Sequence, residues 1–332
     1  MCFRLLVALG VVLAVVGAPG RARAAEHTLR IATLAPKNSS WGKVFRSWRK
    51  AVRKKSNDRL DLDIYYNAVQ GGDDAMVAKM KSGQLDGASL TAVGLSRIYR
   101  DVLVLQMPGV LDDWALLDRV RDAVREDLER GFVSEGFTVL GWGDIGLVRQ
   151  MSKGFAVRVP TDLRGKNPLV WRNEPIGPMV YGAIGGVVPV PLGPPEVLPA
   201  LRAGKVNVVS APMLAAEQLQ WTANLDHVSS RASVCAVGGT VIRTQALDAL
   251  PADLRESFLE IQRTLGRKST KRIRKLDAKA FTRVSKKMTV VEMTAAETEE
   301  WRKILKPIVQ RLGSGTFDKA LVERVLALSG KT

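Results

Sequence analysis

MVAKMKSGQLD, residues 76–86, is the stretch that decides the fold class. It predicts a short apolar helix, a stop at Gly83 and the start of a strand that continues to Thr91. The same layout recurs in VLPALRAGKVN, residues 197–207, followed by the small-residue strand end VSAP at 209–212. The repeat predicts either two α/β lobes built on one plan or a chance similarity between common βαβ units. Two such lobes would bind a ligand between the carboxyl ends of their strands.

Alternating and helical hydrophobic periods take turns around this stretch, as they do in α/β proteins. Upstream, predicted strands at 28–34 and 60–66 flank a helix whose apolar residues recur at helical spacing: Trp41, Val44, Phe45, Trp48 and Val52. Downstream, residues 251–288 contain no strong breaker except Gly266 and predict one very long or once-bent helix. This helix exceeds what one lobe needs, so we expect it to span both. The remaining chain predicts a strand and two helices, at 289–293, 294–312 and 316–328.

The predicted division of the chain follows from these elements. Lobe I comprises residues 25–146 plus about 235–260, and lobe II comprises 147–234 plus about 289–330. Residues 251–288 form the spanning helix. We expect hinges near 146–149 and 232–236, and a bend near Gly266, as the lobes close on a ligand.

The N-terminus has the pattern of a secretory signal peptide, predicted at residues 1–24. Arg4 precedes an apolar run over 5–16, and Ala22-Arg23-Ala24 offers a cleavage site. The run is too short for a membrane anchor. We therefore expect export to the periplasm, and Cys2 would be removed with the cleaved signal peptide. Cys235 would then be the one remaining cysteine, and its apolar surroundings favour a buried strand residue over a nucleophile.

The formal net charge of +17 over 332 residues is strongly basic. Such a charge raises nucleic acid or an anionic membrane as partners, and export argues against nucleic acid. Many of the cations lie at 267–287, where they go all round a predicted helix. This pattern predicts a solvated helix surface, with weak attraction to anionic lipid headgroups as the alternative.

Catalytic patterns are missing from the sequence. His27 and His227 have no partner at metal-ligand spacing, and no nucleophile elbow, phosphate loop or cysteine cluster occurs. We therefore expect a binding protein with no catalytic residues, no metal and no cofactor.

Several short motifs follow one another in a specific order and spacing. They are LRIAT at 29–33 with the loop 36–41, MKSGQLDGA at 80–88, GFTVLGW at 136–142, VPTDLRGK at 159–166, LRAGKV at 201–206 and LPADL at 250–254. Together they resemble the DctP-like substrate-binding subunit of tripartite ATP-independent periplasmic (TRAP) transporters, over essentially the whole mature chain. The resemblance implies a two-lobed α/β receptor with a central ligand cleft and a long lobe-spanning helix. It also implies closure around a small molecule and a membrane permease driven by an ion gradient as partner.

The departures from the family pattern concern the ligand. Acid-carrying members grip a carboxylate with arginines at positions that correspond to Val148 and Leu169, and the family's polar stretch reads NVVSAP at 207–212, with Ser210. These replacements predict a neutral or lipophilic ligand. A register slip would instead offer Arg149 or Arg172 to a carboxylate, although Arg149 should point to the face opposite Val148. A lipid-carrier or sensor receptor on the same fold is a further alternative.

Aromatic and methionine side chains near these positions predict an apolar pocket. The expected ligand-binding set is Trp41, Thr91, Trp142, Val148, Arg149, Leu169, Trp171, Arg172, Ser210 and Met213.

Overall fold

Ten strands and eleven helices alternate along residues 25–331, the part of the chain that the computed structural model describes. The predicted signal peptide, residues 1–24, lies outside the described residues. The strands are β1 (His27–Thr33), β2 (Leu60–Tyr65), β3 (Gly87–Thr91), β4 (Phe137–Ser152), β5 (Leu169–Trp171), β6 (Val190–Leu192), β7 (Val208–Pro212), β8 (His227–Ser229), β9 (Val234–Arg243) and β10 (Thr289–Val291).

The helices are α1 (Ser40–Lys55), α2 (Asp73–Lys81), α3 (Ala92–Leu95), α4 (Trp114–Ser134), α5 (Ile176–Ile184), α6 (Pro194–Arg202), α7 (Met213–Gln218), α8 (Thr244–Asp248), α9 (Ala252–Val284), α10 (Ala295–Arg311) and α11 (Lys319–Ser329). Their starts follow from capping chemistry. The Ser39 hydroxyl accepts the N–H of Gly42 ahead of α1, and Thr294 and Glu297 form the capping box expected at α10. No helix within residues 25–331 is long and apolar enough to cross a membrane.

One sheet joins the two ends of the molecule. Its order is β10-β8-β4-β9-β3-β1-β2, with β7 also paired to β4, while β5 and β6 form a separate small sheet. The long strands β4 and β9 run antiparallel through the middle, from the pair Phe137 and Arg243 to the pair Val148 and Val234. Parallel strands extend the sheet on the β1 side, and β7, β8 and β10 extend it on the other.

Separate apolar cores fill the two lobes. Phe258 of α9 is buried with α1, β1 and β2, whereas Ile273 of the same helix is buried with α6, α7 and β7. Because one uninterrupted helix contributes to both cores, the predicted lobe-spanning helix is confirmed. The buried carboxylate of Asp277 ties α9 to its neighbours, accepting the N–H groups of Leu147 and Leu214, each at 2.9 Å.

The cations of α9 are not arranged as predicted. Five of them lie at i, i+3, i+4, i+7 and i+11, which places them on one exposed face, and Lys286 follows just beyond the end of the helix: Lys268, Lys271, Arg272, Lys275, Lys279 and Lys286. The opposite face is buried through Ile273, Ala280 and Val284, and Arg274 turns towards Asp118. The predicted distribution of these cations all round the helix was therefore wrong. α9 buries one face against β4 and α7 and exposes the opposite face to solvent. We call the six residues the outer stripe.

The C-terminal helices contact both lobes. α10 packs on α5, whereas α11 packs on α4, with Leu321 and Val325 in the apolar core of lobe I. The predicted lobe boundaries remain a prediction, and α11 lies against lobe I although it was assigned to lobe II. Cys235 is fully buried in β9 as predicted, and burial raises the pKa of its thiol.

Candidate functional site

A cavity of about 790 Å³ lies between the lobes. The carboxyl ends of β1 and β3 line it from lobe I, and those of β5 and β7 line it from lobe II. This is where open α/β sheets bind ligands, because loops and helix starts converge there. α9 closes one side through residues of its middle turns.

The cavity brings together eight of the ten predicted ligand-binding residues: Trp41, Thr91, Trp142, Val148, Leu169, Trp171, Arg172 and Ser210. That they contact a ligand stays a prediction. Met213 does not reach the cavity, because it is the first residue of α7 and is fully buried in the core of lobe II. Arg149 does not reach it either.

Arg149 occupies the face of β4 opposite to Val148, as strand alternation predicts. Its guanidinium donates hydrogen bonds to the backbone carbonyls of Ser229 and Ser230 and lies 3.8 Å from the centroid of the Phe281 ring. Burial lowers the pKa of this arginine. Arg149 therefore stabilises the packing of lobe II and is not available to a ligand in the cleft.

Arg172 lies at the mouth of the cavity and is already paired. Its Nη2 donates to both carboxylate oxygens of Glu196 at 2.8 Å, and 51% of its side chain is exposed. Glu196 also accepts the N–H of Gly193 at 2.7 Å, and this hydrogen bond together with Arg172 lowers the pKa of its carboxyl. Arg172 is the one cation among the described residues that line the cavity, and its charge is neutralised.

The lobe II wall is apolar and aromatic. Val148 and Leu169 stand at the two positions predicted to replace arginines, with Ser210 beside them. Trp171 packs on Trp221 at 6.1 Å between ring centroids, with the planes tilted by 40°. This wall therefore offers a ligand apolar contact area and few charged groups.

Four carboxyls line the cavity, and protein groups bind each of them, Asp74 through the guanidinium of Arg97 at 2.8 Å. Asp73 accepts the hydroxyl hydrogen of Thr91 at 2.6 Å, and burial raises the pKa of Asp73 to about 6. Glu174 accepts two backbone N–H groups at the start of α5, and burial raises its pKa. Asp144 is buried between Arg121 at 2.6 Å and Arg274 at 2.5 Å.

No group of three or more His, Cys, Asp or Glu side chains within residues 25–331 is placed to hold a metal ion.

The polar residues of the cavity that were not predicted include two that are buried on the wall formed by α9 and β9. Gln262 of α9 and Thr240 of β9 are only 9% and 8% exposed, and both line the cavity. A signal for Gln262 was present, since this amide lies on the apolar side of α9, next to Ile261 and one turn from Phe258. For Thr240, the strand pattern alone gives no such signal.

Hydrogen bonds close the cleft at two places on its rim. The N–H of Ser40 donates to Gln218 Oε1 at 3.1 Å, and Gln218 Nε2 donates to Ser40 Oγ at 2.9 Å. At the other place, Asn173 Nδ2 donates to Asp74 at 3.1 Å. Each contact joins a residue before β4 to one after it, so the structure shows the lobes closed on the cavity.

Comparisons with known proteins agree with this fold. The sequence profile of DctP, described as bacterial extracellular solute-binding protein, family 7, matches residues 31–315. A solute-binding protein of Verminephrobacter eiseniae is 24% identical over 271 residues, which cover 81% of this chain and 80% of that protein.

Solved TRAP periplasmic solute-binding proteins superpose closely. The protein from Sulfurospirillum deleyianum, with bound succinate, has a TM-score of 0.84 at 18% identity, covering 92% of this chain and 99% of its own. The protein from Ralstonia eutropha, with bound (S)-2-acetolactate, has a TM-score of 0.84 at 20% identity and the same coverage. The protein from Roseobacter denitrificans, with bound β-D-glucuronate, has a TM-score of 0.83 at 16% identity, covering 90% and 99%.

These matches confirm the predicted two-lobed fold and a receptor rather than an enzyme. At these identities the solved structures inform on the fold and leave the ligand open. The chain belongs to the DctP family, the bacterial extracellular solute-binding proteins of family 7.

Proposed function

We propose that the mature receptor binds a neutral, largely apolar small molecule in the periplasm and delivers it to a TRAP-type permease. One observation supports this ligand class above all others. The cavity-lining residues that the structure describes include a single cation, Arg172, and its Nη2 already donates to both carboxylate oxygens of Glu196 at the rim. Val148 and Leu169 stand deeper, at the positions where acid-binding receptors of the family need arginine.

Desolvation argues for the same class. A carboxylate that enters this cavity loses its hydration shell without gaining a guanidinium, at a cost of several kcal/mol. An apolar ligand gains about 25 cal/mol for each Å² removed from water, so about 300 Å² contributes some 7 kcal/mol before ordering costs. The three compared structures hold acids, and the proposal makes this chain a receptor of another ligand class on the same fold.

The runner-up is a carboxylate held by Arg149 or Arg172. It is disfavoured because Arg149 lies behind the strand and Arg172 would have to leave Glu196. A lipid carrier or a sensor receptor would use the same apolar cavity. If the neighbouring gene encoded a permease with many membrane spans, this would favour transport over the lipid-carrier and sensor functions.

A thermal-shift panel tests the ligand class. It contains C4-dicarboxylates, keto acids, sugar acids, fatty alcohols and sterol-like compounds. We expect fatty alcohols or sterol-like compounds to raise the melting temperature, and Leu169→Arg to weaken that shift while strengthening the response to acids. Val188→Arg places the same charge on an exposed residue outside the cavity and serves as the control. Stabilisation by a dicarboxylate that disappears in Arg172→Ala would establish the runner-up instead.

Export is tested on the secreted protein. N-terminal sequencing should find a mature chain that starts at about Ala25 or Glu26 in the periplasmic fraction. A mature protein that retains residues 1–20 would contradict a cleaved signal peptide.

The outer stripe supports a second, weaker partner, an anionic membrane surface. Five of its six cations extend over about 17 Å of α9, and none of the six pairs with a carboxylate of the described residues. Each lysine near an anionic bilayer contributes about 1 kcal/mol. Co-sedimentation with phosphatidylglycerol vesicles, but not with phosphatidylcholine vesicles, is expected at low salt.

Charge reversal on the stripe supplies the control for that experiment. Lys271→Glu, Lys275→Glu and Lys279→Glu together should abolish co-sedimentation. The same triple change on α1, at the exposed Lys43, Lys50 and Lys54, alters net charge equally and should retain most of it. Equal losses in both triple variants would show that net charge alone acts.

A further inference from the structure

The amide of Gln262 lines the cavity without a protein partner. The residue is 9% exposed and its amide makes no hydrogen bond to another described residue, while the amide nitrogen and oxygen stay open to the cavity. Amides in protein interiors are almost always hydrogen-bonded, to protein, water or ligand. Gln106, another amide of the same cavity, follows that rule by donating to the carbonyl of Cys235 at 2.6 Å. The contrast points to Gln262 as a group whose partner comes from outside the chain.

Thr240 lies on the same side of the sheet. It is paired with Gly141 across β4 and β9, and paired residues of antiparallel strands present their side chains on one face. A Cβ atom at Gly141 would point to Gln262 Nε2 at 3.4 Å, so this face is the one that looks at α9. The hydroxyl of Thr240, like the amide of Gln262, makes no hydrogen bond to another described residue.

Glycines leave room beside these two groups. Gly141 and Gly143 of β4, and Gly238 and Gly239 of β9, line the cavity there and project no side chain into it. A Cβ atom at Gly143 would meet only the carbonyl of Gly238, at 3.9 Å. A ligand group can therefore approach Gln262 and Thr240 without displacing protein atoms.

We propose that Gln262 and Thr240 form the polar anchor of the ligand site and bind a neutral group that both donates and accepts hydrogen bonds, a hydroxyl or a carboxamide. The inference rests on the proposed neutral, apolar ligand and specifies the polar end of that molecule. An amide presents an acceptor oxygen and a donor nitrogen, so a ligand that only accepts leaves Gln262 Oε1 unpaired. A carboxylate is such a ligand, and the anchor discriminates against it.

A matched series of ring compounds tests the anchor by titration calorimetry. The probes are cyclohexanol, cyclohexanecarboxamide, cyclohexanecarboxylate and cyclohexane. One hydrogen-bonded anchor should give the alcohol and the carboxamide roughly tenfold tighter binding than cyclohexane. Gln262→Leu should bring all neutral probes to the affinity of cyclohexane, and Thr240→Val should produce a smaller loss. Gln70→Leu removes an amide outside the cavity, paired with Lys79 at 2.8 Å, and should leave the ratio of alcohol to cyclohexane unchanged.

Thermal stability without any ligand gives an independent measurement. Gln262→Leu should leave the melting temperature unchanged or raise it, because this amide makes no hydrogen bond to the protein that the substitution could break. Gln106→Leu should lower it, because the carbonyl of Cys235 loses a donor. A fall in Gln262→Leu equal to that in Gln106→Leu would overturn the anchor.

The two proposals fail differently in these experiments. Wild-type protein that binds cyclohexanecarboxylate more tightly than cyclohexanol contradicts the neutral ligand class. Wild-type protein that prefers neutral probes, with the same preference in Gln262→Leu, leaves the class standing and overturns the anchor.

Discussion

The two faces of α9 carry different charge, one cationic and the other without a cation. The outer stripe carries six cations towards solvent without a carboxylate partner among the described residues. The inner face presents Gln262, Ser269 and Ile273 to the cavity, and no cation. The positive charge of the described residues therefore lies on the outside of the receptor and carries no information about its ligand.

Solvation explains the difference. A lysine on the outer face keeps its hydration at no cost, whereas an unpaired cation on the inner face would need a partner. Arg274 shows the only arrangement that α9 uses for an inward arginine, a buried network with Asp118 and Asp144. The inward-facing Arg274 of α9 therefore stabilises the fold, whereas the outward-facing cations of the outer stripe are available to bind a partner.

Replacing Arg274 should have the largest effect on stability. Arg274→Ala leaves the fully buried Asp144 with Arg121 alone and removes the guanidinium that stacks on Trp114 at 4.4 Å. Breaking such a network should lower the free energy of unfolding by about 3 to 5 kcal/mol. Urea unfolding followed by circular dichroism measures the loss.

Lys275→Ala is the matched control, one residue along the same helix on the outer face. A change within about 0.5 kcal/mol is expected there. Similar losses in both variants would erase the distinction between structural inward and free outward cations.

The glycines of the inner wall sharpen the comparison on the strand side. A Cβ atom at Gly238 would lie 2.6 Å from the carbonyl oxygen of Leu90, so Gly238→Ala should cost about 1 to 3 kcal/mol of stability. Gly143→Ala meets no atom closer than 3.9 Å and should fold normally. Because it narrows the space beside Gln262, Gly143→Ala should weaken ligand binding alone. Urea unfolding measures the loss of stability, and the calorimetric titration measures the loss of ligand affinity. Equal losses of stability in Gly238→Ala and Gly143→Ala would contradict the different amounts of free space at these two glycines.

Much of the fold follows from residues that act locally. The alternation of Leu60, Leu62 and Ile64 predicted β2, and Thr294 with Glu297 predicted the start of α10. Strand alternation also placed Val148 in the cavity and Arg149 behind it, since one residue reverses the face of a strand.

The rest depended on tertiary contacts. Met213 was expected in the cavity because it follows the strand end, but the chain turns into α7 there and buries it. The dry side of α9 is set by β4 and α7, which are distant in sequence, so the outer stripe could not be predicted from the cations alone. Gln262 and Thr240 meet only when α9 crosses the sheet.

The pKa values of two carboxyls, one beside the cavity and one on the surface, are shifted in opposite directions. Burial raises the pKa of Asp73, beside the cavity, from 3.8 to about 6. Burial also favours a higher pKa for the partly exposed Asp226, but hydrogen bonds from Gly154, His227 and Lys153 outweigh it and lower the pKa to about 2.

The two carboxyls should therefore give opposite dependences of stability on pH. Folded protein binds the Asp73 proton more tightly than unfolded protein, so this contribution is complete below about pH 4 and is lost as pH rises through about 6, on the order of 3 kcal/mol. Asp73→Asn should remove that loss. Asp226 contributes above about pH 4 and loses its contribution as pH falls towards 2. Urea unfolding between about pH 4 and 7 measures the difference between wild type and Asp73→Asn, and parallel curves would show that Asp73 does not titrate there.

The smallest effect should come from the pair at the mouth of the cleft, Arg172 and Glu196. Both side chains are about half exposed, at 51% and 46%, so water screens their attraction. A double-mutant cycle with Arg172→Gln and Glu196→Gln should give a coupling of about 0.2 to 1 kcal/mol without ligand. If Arg172 only balances Glu196, a saturating neutral ligand leaves this coupling unchanged, and both single variants bind that ligand as wild type does. A coupling that vanishes on ligand binding, with affinity reduced in Arg172→Gln alone, would mean that the guanidinium exchanges Glu196 for the ligand, and the cleft would then hold an available cation after all.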